Sequence, residues 1–408
     1  MQIGIIDAEI IGKTKHRFPN LCCMKISSYH KQKGDDVTLL LSYNDLNDFD
    51  KVYISKVFTK TPIPDNVLTL SNVEYGGTGF FYDKAPPLPY DIEHSMPDYH
   101  LYDEWVNEKI NNGVKRNEFI YYLDYSIGYL TRKCFRGCEF CVNRNYKGAE
   151  QASPLSEFMD ESRPKLCFLD DNFFAYPKWK DLIQPVIDSG KRFQFKQGLD
   201  ERLLTKDKIL EMLQWKYDGD VIFAFDNIED KYLIMSKLEL IRRTVPQWKR
   251  DLKFYVFCGW DKSEKYDDVF WEKDITDLFE RITILRAYGA KPYVMRFEKV
   301  YESEYSSFYA AVAAYCNQLA MFNSFSFGLY SKCAGMKRSD YKKYGRDIDR
   351  YLYEVGTKGS TWRSMEMVSN KFPHISEKYF DIDKHTCLTE YRLSTSKWLD
   401  NLLGGEES

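Results

Sequence analysis

Short apolar runs alternate with polar segments along most of the chain, and their spacing predicts an α/β protein. Near the N-terminus, three such runs predict strands, at 2–7, 37–41 and 51–55. Between the first two, the segment 19–33 predicts a helix, with a proline at its start and Gly34 closing it. A glycine segment, GGTG at 76–79, follows the third strand. This order is typical of the first half of a parallel α/β domain, which we place at residues 1–85.

A proline-rich segment separates this pattern from a more regular one. APPLPYDIEHSMPD at 85–98 has little periodicity, and we predict a linker over 86–118. From 119 to 300, six apolar runs recur, starting at 127, 166, 192, 220, 253 and 291. Because each parallel strand needs a crossover helix, this spacing predicts six β-α units, arranged as a partial barrel or an open sheet.

The last part of the chain has a helical pattern. We predict an α-helical C-terminal region over 301–408, ending in the polar tail GGEES. Its most apolar stretch, at 308–322, is interrupted by Asn317 and Gln318, so we expect no transmembrane segment. The apolar run at the N-terminus lacks the basic region of a signal peptide, and we therefore expect a cytoplasmic protein.

Composition and net charge limit the kinds of function that this protein can have. A chain of 408 residues with 44% hydrophobic residues can bury a core in two or three domains. A formal net charge of -3 excludes a surface that binds nucleic acid or anionic membranes by bulk charge alone. In a reducing compartment the ten cysteines are not expected to form a disulfide framework, so clustered cysteines are better interpreted as metal ligands.

One such cluster is present: Cys134, Cys138 and Cys141 have the spacing Cys-x3-Cys-x2-Cys. Thiolates select zinc, copper(I) or iron-sulfur clusters. Structural zinc needs four ligands, and the nearest histidines, His94 and His100, lie more than thirty residues earlier. A [4Fe-4S] cluster on three cysteines leaves one iron open to another ligand. The loop follows the first strand of the barrel pattern, at the face where such folds build active sites.

The segment CFRGCEFC, with Phe140 before its last cysteine, is similar to the signature of the radical S-adenosylmethionine (SAM) superfamily. The resemblance spans the six β-α units and implies a partial TIM-like barrel. It implies that Cys134, Cys138 and Cys141 ligate a [4Fe-4S] cluster whose open iron binds SAM, and that Phe140 helps to seat the adenine. It further implies reductive cleavage of SAM to a 5'-deoxyadenosyl radical, with electrons from a donor such as flavodoxin or ferredoxin. The substrate is not disclosed.

Other residues match positions at which relatives contact SAM. Asp170, Asp171 and Asn172 end the second strand, where relatives bind the SAM amino group, although their usual motif is Gly-Gly-Glu. A helix N-cap is the competing interpretation. Gly259 ends the fifth strand, where relatives let the adenine approach the backbone, and a plain turn glycine competes there. Arg296 ends the sixth strand and is a candidate for contact with SAM or substrate.

The N-terminal domain resembles the cobalamin (B12)-binding, flavodoxin-like domain that precedes the barrel in one branch of the superfamily. The signature Asp-x-His-x-x-Gly of that domain matches Asp7 to Gly12, with Glu9 in place of the histidine that ligates cobalt. Residues 55–57 and 76–80 match its later signatures. We interpret the domain as degenerate, with cobalamin as the less favoured prediction, and a cobalamin-dependent radical SAM methyltransferase as an alternative function.

Two further alternatives stay open. The first is a non-catalytic binding module stabilised by zinc at the three cysteines. The second concerns partners: residues 336–363 interleave basic and aromatic side chains, which can meet the phosphates and bases of a nucleic acid. A solvated helix face with tyrosines packing inward is the favoured interpretation of that segment.

Overall fold

The structure is a computed structural model that describes residues 1–248, 251–344, 347–356 and 359–393. It divides into two compact units. Unit 1 comprises Met1–Gly198 and Gln214–Asp218, and unit 2 comprises Leu199–Leu213 and the chain from Gly219 onward. The domain boundaries given above at 85, 118 and 300 stay a prediction. The polar tail lies outside the described residues.

The first sheet of unit 1 is parallel and is formed by β1 (Gln2–Asp7), β2 (Asp36–Leu39), β3 (Lys51–Ser55) and β4 (Val73–Gly76). Its order is β2-β1-β3-β4, which is that of flavodoxin-like doubly wound sheets. The helix α1 (Leu21–Gln32) connects β1 to β2. The predicted helix and the three predicted strands are confirmed. Strand β4 was missed because its sequence, VEYG, contains no apolar run.

Each face of this sheet packs against a separate apolar cluster. Ile3 and Ile5 pack with Met24 of α1 on one face, and Ile6 and Val52 belong to the cluster on the other. Helices α2 (Thr78–Phe81), α3 (Tyr90–Glu93) and α4 (Asp103–Asn111) follow β4. The segment predicted as a linker therefore contains two helices, and α4 adds a buried tryptophan to the first cluster.

The second sheet of unit 1 is also parallel, in the order β5-β8-β9. Its strands are β5 (Tyr125–Gly128), β8 (Lys165–Phe168) and β9 (Arg192–Phe195), and the nearby helices are α5 (Ile120–Leu123) and α6 (Trp179–Asp188). A short antiparallel pair, β6 (Thr131–Arg132) and β7 (Glu150–Gln151), lies between β5 and β8 in the chain. The carboxyl ends of the parallel strands share one edge.

Unit 2 contains a parallel sheet in the order β10-β11-β12. Its strands are β10 (Val221–Ala224), β11 (Leu252–Cys258) and β12 (Lys291–Arg296), with helices α7 (Lys206–Gln214), α8 (Lys231–Thr244) and α9 (Asp268–Ala287). All six strands of the predicted β-α pattern are therefore confirmed. They form two parallel sheets, and their closure into one partial barrel stays a prediction.

Beyond β12 the described chain is helical, as predicted. The helices are α10 (Glu298–Glu302), α11 (Ser306–Asn317), α12 (Leu319–Ser324), α13 (Phe327–Cys333), α14 (Arg338–Tyr344), α15 (Ile348–Val355), α16 (Ser360–Lys371), α17 (Pro373–Ile375) and α18 (Lys384–Leu388). Aromatic side chains join them to α9: the ring of Phe279 lies 5.3 Å from that of Phe327 and 5.0 Å from that of Phe380. Among the described residues, no helix combines the length and apolarity needed to cross a membrane.

Candidate metal centre

The three cysteines lie in one loop, residues 133–149, which a short antiparallel ladder closes at its base. Arg132 of β6 pairs with Glu150 of β7, and the Lys133 ammonium lies 2.6 Å from the Glu150 carboxylate. Lys133 has a φ of 72°, in the left-handed region. The chain therefore turns sharply into the loop directly before Cys134.

Backbone amides of the loop point at two of its sulfur atoms. The N–H of Arg136 donates to Cys134 Sγ, and the N–H of Asn143 donates to Cys141 Sγ, each at 3.4 Å. All three cysteines, including Cys138, are partly exposed. Hydrogen bonds to the sulfur ligands tune the reduction potential of a bound iron-sulfur cluster. Three such thiols in one loop form a donor set that fits an iron-sulfur cluster.

The predicted residues Asp170, Asp171 and Asn172 are brought to the N-terminal side of this loop. The Asn172 amide donates to Cys134 Sγ at 3.4 Å, and Asp171 accepts a 2.7 Å hydrogen bond from the N–H of Lys133. Burial raises the pKa of Asp171. These contacts hold the first cysteine in place, and contact of this segment with SAM stays a prediction.

Asp170 is the most deeply buried of the three, at 1% exposed. One carboxylate oxygen accepts from the N–H of Leu130, and the other accepts from the N–H and the hydroxyl of Thr131. Burial raises its pKa to about 7. Through these hydrogen bonds Asp170 fixes the backbone at Leu130 and Thr131, immediately before the loop.

A different segment, Tyr82 and Asp83, holds the C-terminal side of the loop. The Tyr82 hydroxyl donates to the carbonyl of Phe140 at 2.6 Å. Asp83 accepts from Arg144 Nε and Nη2, at 3.0 and 2.8 Å, and from the Asn145 amide at 3.2 Å. Sequence reasoning missed Tyr82 and Asp83 because they belong to no motif and lie about sixty residues before their partners. The adenine contact of the Phe140 ring stays a prediction.

The other two predicted SAM-contacting residues lie in unit 2, at the ends of the neighbouring strands β11 and β12. Gly259 has a φ of 79°, and a Cβ there would lie 2.0 Å from Val300 Cγ2. Its N–H donates to Asp274 at 2.9 Å. Arg296 lies over the ring of Tyr301, 4.8 Å from its centroid. Packing alone thus requires a glycine at 259, and the SAM contacts of both residues stay predictions.

Buried polar groups at the strand ends of unit 2 were missed by the sequence argument. Arg281 is 2% exposed and donates to the carbonyls of Phe225 and Phe257, at 2.9 and 2.8 Å. Glu201 is 1% exposed and accepts from the N–H of Ala224, and burial raises its pKa to about 8. Arg281 belongs to no motif, and the two carbonyls lie 56 and 24 residues before it in the chain, so local sequence does not indicate its role.

The residues that match the cobalamin signature do not supply a cobalt ligand. Glu9 is 7% exposed, and its carboxylate accepts from the N–H groups of Val57 and Phe58, both at 3.0 Å, and from the Thr61 hydroxyl at 2.7 Å. These bonds anchor the segment after β3. The site therefore does not fit a cobalamin that is held through a protein axial ligand.

Within residues 1–248, 251–344, 347–356 and 359–393, no three Cys, His, Asp or Glu side chains converge on the position of one metal ion. The candidate ligand set thus rests on the chemistry and shared loop of the three thiols.

The segment 336–363, for which a solvated helix face is the favoured interpretation and a nucleic-acid contact the alternative, carries charges that pair with each other. Lys343 and Arg350 both contact Glu354, at 2.9 and 2.8 Å. Arg346 and Lys358 lie outside the described residues. A nucleic-acid contact here stays the less favoured alternative.

Comparisons with known proteins do not assign this chain to a family. No family model matches the chain, and no curated protein is similar in sequence. A solved structure described as the apo, selenomethionine-labelled cobalamin-dependent S-adenosylmethionine radical enzyme OxsB aligns with a TM-score of 0.42 and 10% identity, covering 100% of this chain and 80% of that chain. At these values the likeness does not establish a family, and the functional assignment rests on the cysteine loop.

Proposed function

We propose that the protein is a radical SAM enzyme. When bound, a [4Fe-4S] cluster would supply the electron that cleaves SAM reductively and yields a 5'-deoxyadenosyl radical, which acts on a substrate still to be identified. The observation that carries the proposal is the loop with Cys134, Cys138 and Cys141, placed directly after a parallel strand and supplied with N–H groups that point at sulfur.

In the proposed enzyme, separate residues would bind the cluster and position the loop that carries it. Cys134, Cys138 and Cys141 hold three irons, and the fourth is left for SAM. Asp170 and Asp171 fix the backbone that leads into the loop, through hydrogen bonds to the N–H groups of residues 130, 131 and 133. In this proposal the two parallel sheets form one partial barrel, Gly259 and Arg296 contact SAM, and a flavodoxin or ferredoxin delivers the electron.

Neither alternative function is favoured by the described geometry. A cobalamin-dependent methyltransferase would need the N-terminal domain to present cobalamin, whereas Glu9 is engaged by the segment at 57–61. A zinc-stabilised module would need a fourth ligand close to the three thiols. Metal analysis of the purified protein separates the zinc module from the enzyme, since only the enzyme contains iron and sulfide.

The deciding experiment is anaerobic reconstitution with iron and sulfide, then reduction with dithionite and assay of 5'-deoxyadenosine formed from SAM. We expect the wild-type chain to form 5'-deoxyadenosine, and Cys138→Ala to fall to background because it removes one cluster ligand.

Cys22→Ala is the matched control, because Cys22 is also a partly exposed cysteine but lies outside the loop. It should retain wild-type activity. Zinc without iron in the wild-type chain, or equal activity in Cys138→Ala and wild type, would overturn the proposed function.

A further inference from the structure

A line of hydrogen bonds connects the carboxyl edge of the N-terminal sheet to the cysteine loop. It begins at Glu9, which anchors the N–H groups of Val57 and Phe58. The Thr78 hydroxyl donates to the carbonyl of Val57, and the N–H of Gly79 donates to the carbonyl of Lys56, each at 3.0 Å. The segment after β3 thus anchors the residues that follow β4.

Two glycines allow this close approach. A Cβ at Gly77 would lie 2.3 Å from the carbonyl oxygen of Lys56, and one at Gly79 would lie 2.5 Å from Lys56 Cγ. Gly77 also has a φ of 108°, which side-chain-bearing residues rarely adopt. The glycines that match the cobalamin signature are therefore required by contact with the chain itself.

Residues 76–84, which we name the strap, end at the cysteine loop. Tyr82 has a φ of 48° and a ψ of -112°, a conformation that glycine favours and that costs a tyrosine backbone strain. The strained residue is the one whose hydroxyl reaches the carbonyl of Phe140. Asp83, next in the chain, forms the ion pair with Arg144.

Both contacts act on the backbone between the second and third cysteines. Tyr82 contacts the peptide group between Phe140 and Cys141 through its carbonyl oxygen. The N–H of the same peptide group donates to the carbonyl of Cys138 at 2.9 Å. Arg144, oriented by Asp83, donates through Nη1 to the carbonyl of Glu139 at 3.0 Å. The strap thereby fixes two of the three peptide groups between Cys138 and Cys141.

We propose that the strap positions the cysteine loop, with Tyr82 and Asp83 as positioning residues for the cluster. The N-terminal domain then serves as a brace for the metal loop, in place of a cobalamin carrier. This inference rests on the proposed function for the identity of the bound group. The contacts between the strap and the loop are independent of that identity.

The first test is hydrogen-deuterium exchange in the metal-free full-length protein. Tyr82→Phe keeps the ring and removes the donor to Phe140. We expect exchange at the loop amides to become about 3- to 10-fold faster, the effect of losing one hydrogen bond. Tyr90→Phe, at a tyrosine that is 75% exposed and lies outside the strap, is the control and should leave loop exchange unchanged.

A second pair of variants tests Asp83 by exchange of charge. Asp83→Arg and Arg144→Asp should each accelerate exchange of the same amides, because each places like charges together. The double variant should restore part of the protection, since it re-forms an ion pair in the opposite sense. Additive acceleration in the double variant would overturn the role given to Asp83.

A spectroscopic comparison addresses the cluster itself. After reconstitution with iron and sulfide, Tyr82→Phe should release iron to a chelator several-fold faster than wild type. Its reduced form should give an altered electron paramagnetic resonance spectrum, since the orientation of a ligand-bearing peptide changes. An unchanged thermal unfolding midpoint would exclude a merely global effect.

The two proposals fail separately. If the wild-type chain binds no iron-sulfur cluster, the proposed function falls, and the exchange experiment still decides whether the strap holds the loop. If the wild type forms 5'-deoxyadenosine while Tyr82→Phe matches it in loop exchange and in spectrum, the strap inference falls and the enzyme assignment stands.

Discussion

Two glycines of unit 2, Gly259 and Gly289, share a left-handed backbone conformation but differ in the space around the α-carbon. Gly259 and Gly289 have φ values of 79° and 71°. A Cβ at 259 would overlap Val300 at 2.0 Å, whereas one at 289 would meet nothing within 4 Å. An alanine at 289 therefore adds backbone strain alone, whereas an alanine at 259 adds both backbone strain and steric overlap.

We expect Gly289→Ala to lower the free energy of unfolding by about 1–2 kcal/mol through backbone strain alone. Gly259→Ala should lower it by about 2–5 kcal/mol, because overpacking against Val300 adds to the strain. Urea denaturation of both variants measures the difference. Equal losses would show that Val300 moves aside without cost.

The residues of the candidate site were predictable to different degrees. The spacing of Cys134, Cys138 and Cys141 is local, so the sequence alone predicts them as a ligand set. Asp170 was predicted as a candidate for SAM contact, with a helix N-cap as the competing interpretation, and its hydrogen bonds to Leu130 and Thr131 were not predicted. Tyr82 could not be predicted, since its partner lies 58 residues away and a single tyrosine carries no spacing pattern.

At the scale of elements, an apolar run in the sequence decided which strands could be predicted. The six strands of the β-α pattern have such runs and at least two buried residues each, and all six were recognised, as was β2, which has no buried residue. The sequence of β4 is VEYG, and β6 and β7 are two residues long, so none of the three contains an apolar run. Such strands are defined by their pairing partner, which local sequence does not specify.

The segment after β3 gives a test at this scale. Glu9→His restores the cobalamin signature but removes an acceptor used by Val57, Phe58 and Thr61. We expect the free energy of unfolding to fall by about 2–4 kcal/mol, because buried donors lose their partner. Glu9→Gln keeps one acceptor oxygen and should lose about 1 kcal/mol.

The same variants test the cobalamin interpretation. After incubation with hydroxocobalamin and gel filtration, we expect the protein fraction of Glu9→His to show no corrin absorbance, as for wild type. Cobalamin retained by Glu9→His alone would contradict the assignment of this edge of the sheet to internal bracing.

At the scale of the whole molecule, buried acids make stability depend on pH. Burial, with a smaller contribution from the nearby Asp200 carboxylate, raises the pKa of Glu201 from 4.5 to about 8. Between these two pKa values the folded chain binds more protons than the unfolded chain at this site. Stability therefore falls as the pH rises through this window, and levels off above about pH 8.

Glu201→Gln removes this ionisation and keeps the shape of the side chain. Relative to wild type, the variant should gain about 3–5 kcal/mol between about pH 4.5 and about pH 8. Denaturation midpoints across this range measure the gain, with Glu229→Gln, at an exposed residue of unit 2, as the control. Parallel pH profiles of Glu201→Gln and wild type would show that Glu201 ionises normally.

Local order along the chain was enough to identify the strands that contain apolar runs and the helical end of the described chain, and to predict the cysteine ligand set, because spacing and periodicity depend on near neighbours. Three features needed the folded chain: the bracing of the loop by Tyr82 and Asp83, the engagement of Glu9 by the segment after β3, and the arrangement of the strands in two sheets. Each depends on hydrogen bonds or packing between segments far apart in sequence, and such contacts form only when the backbone brings the partners together.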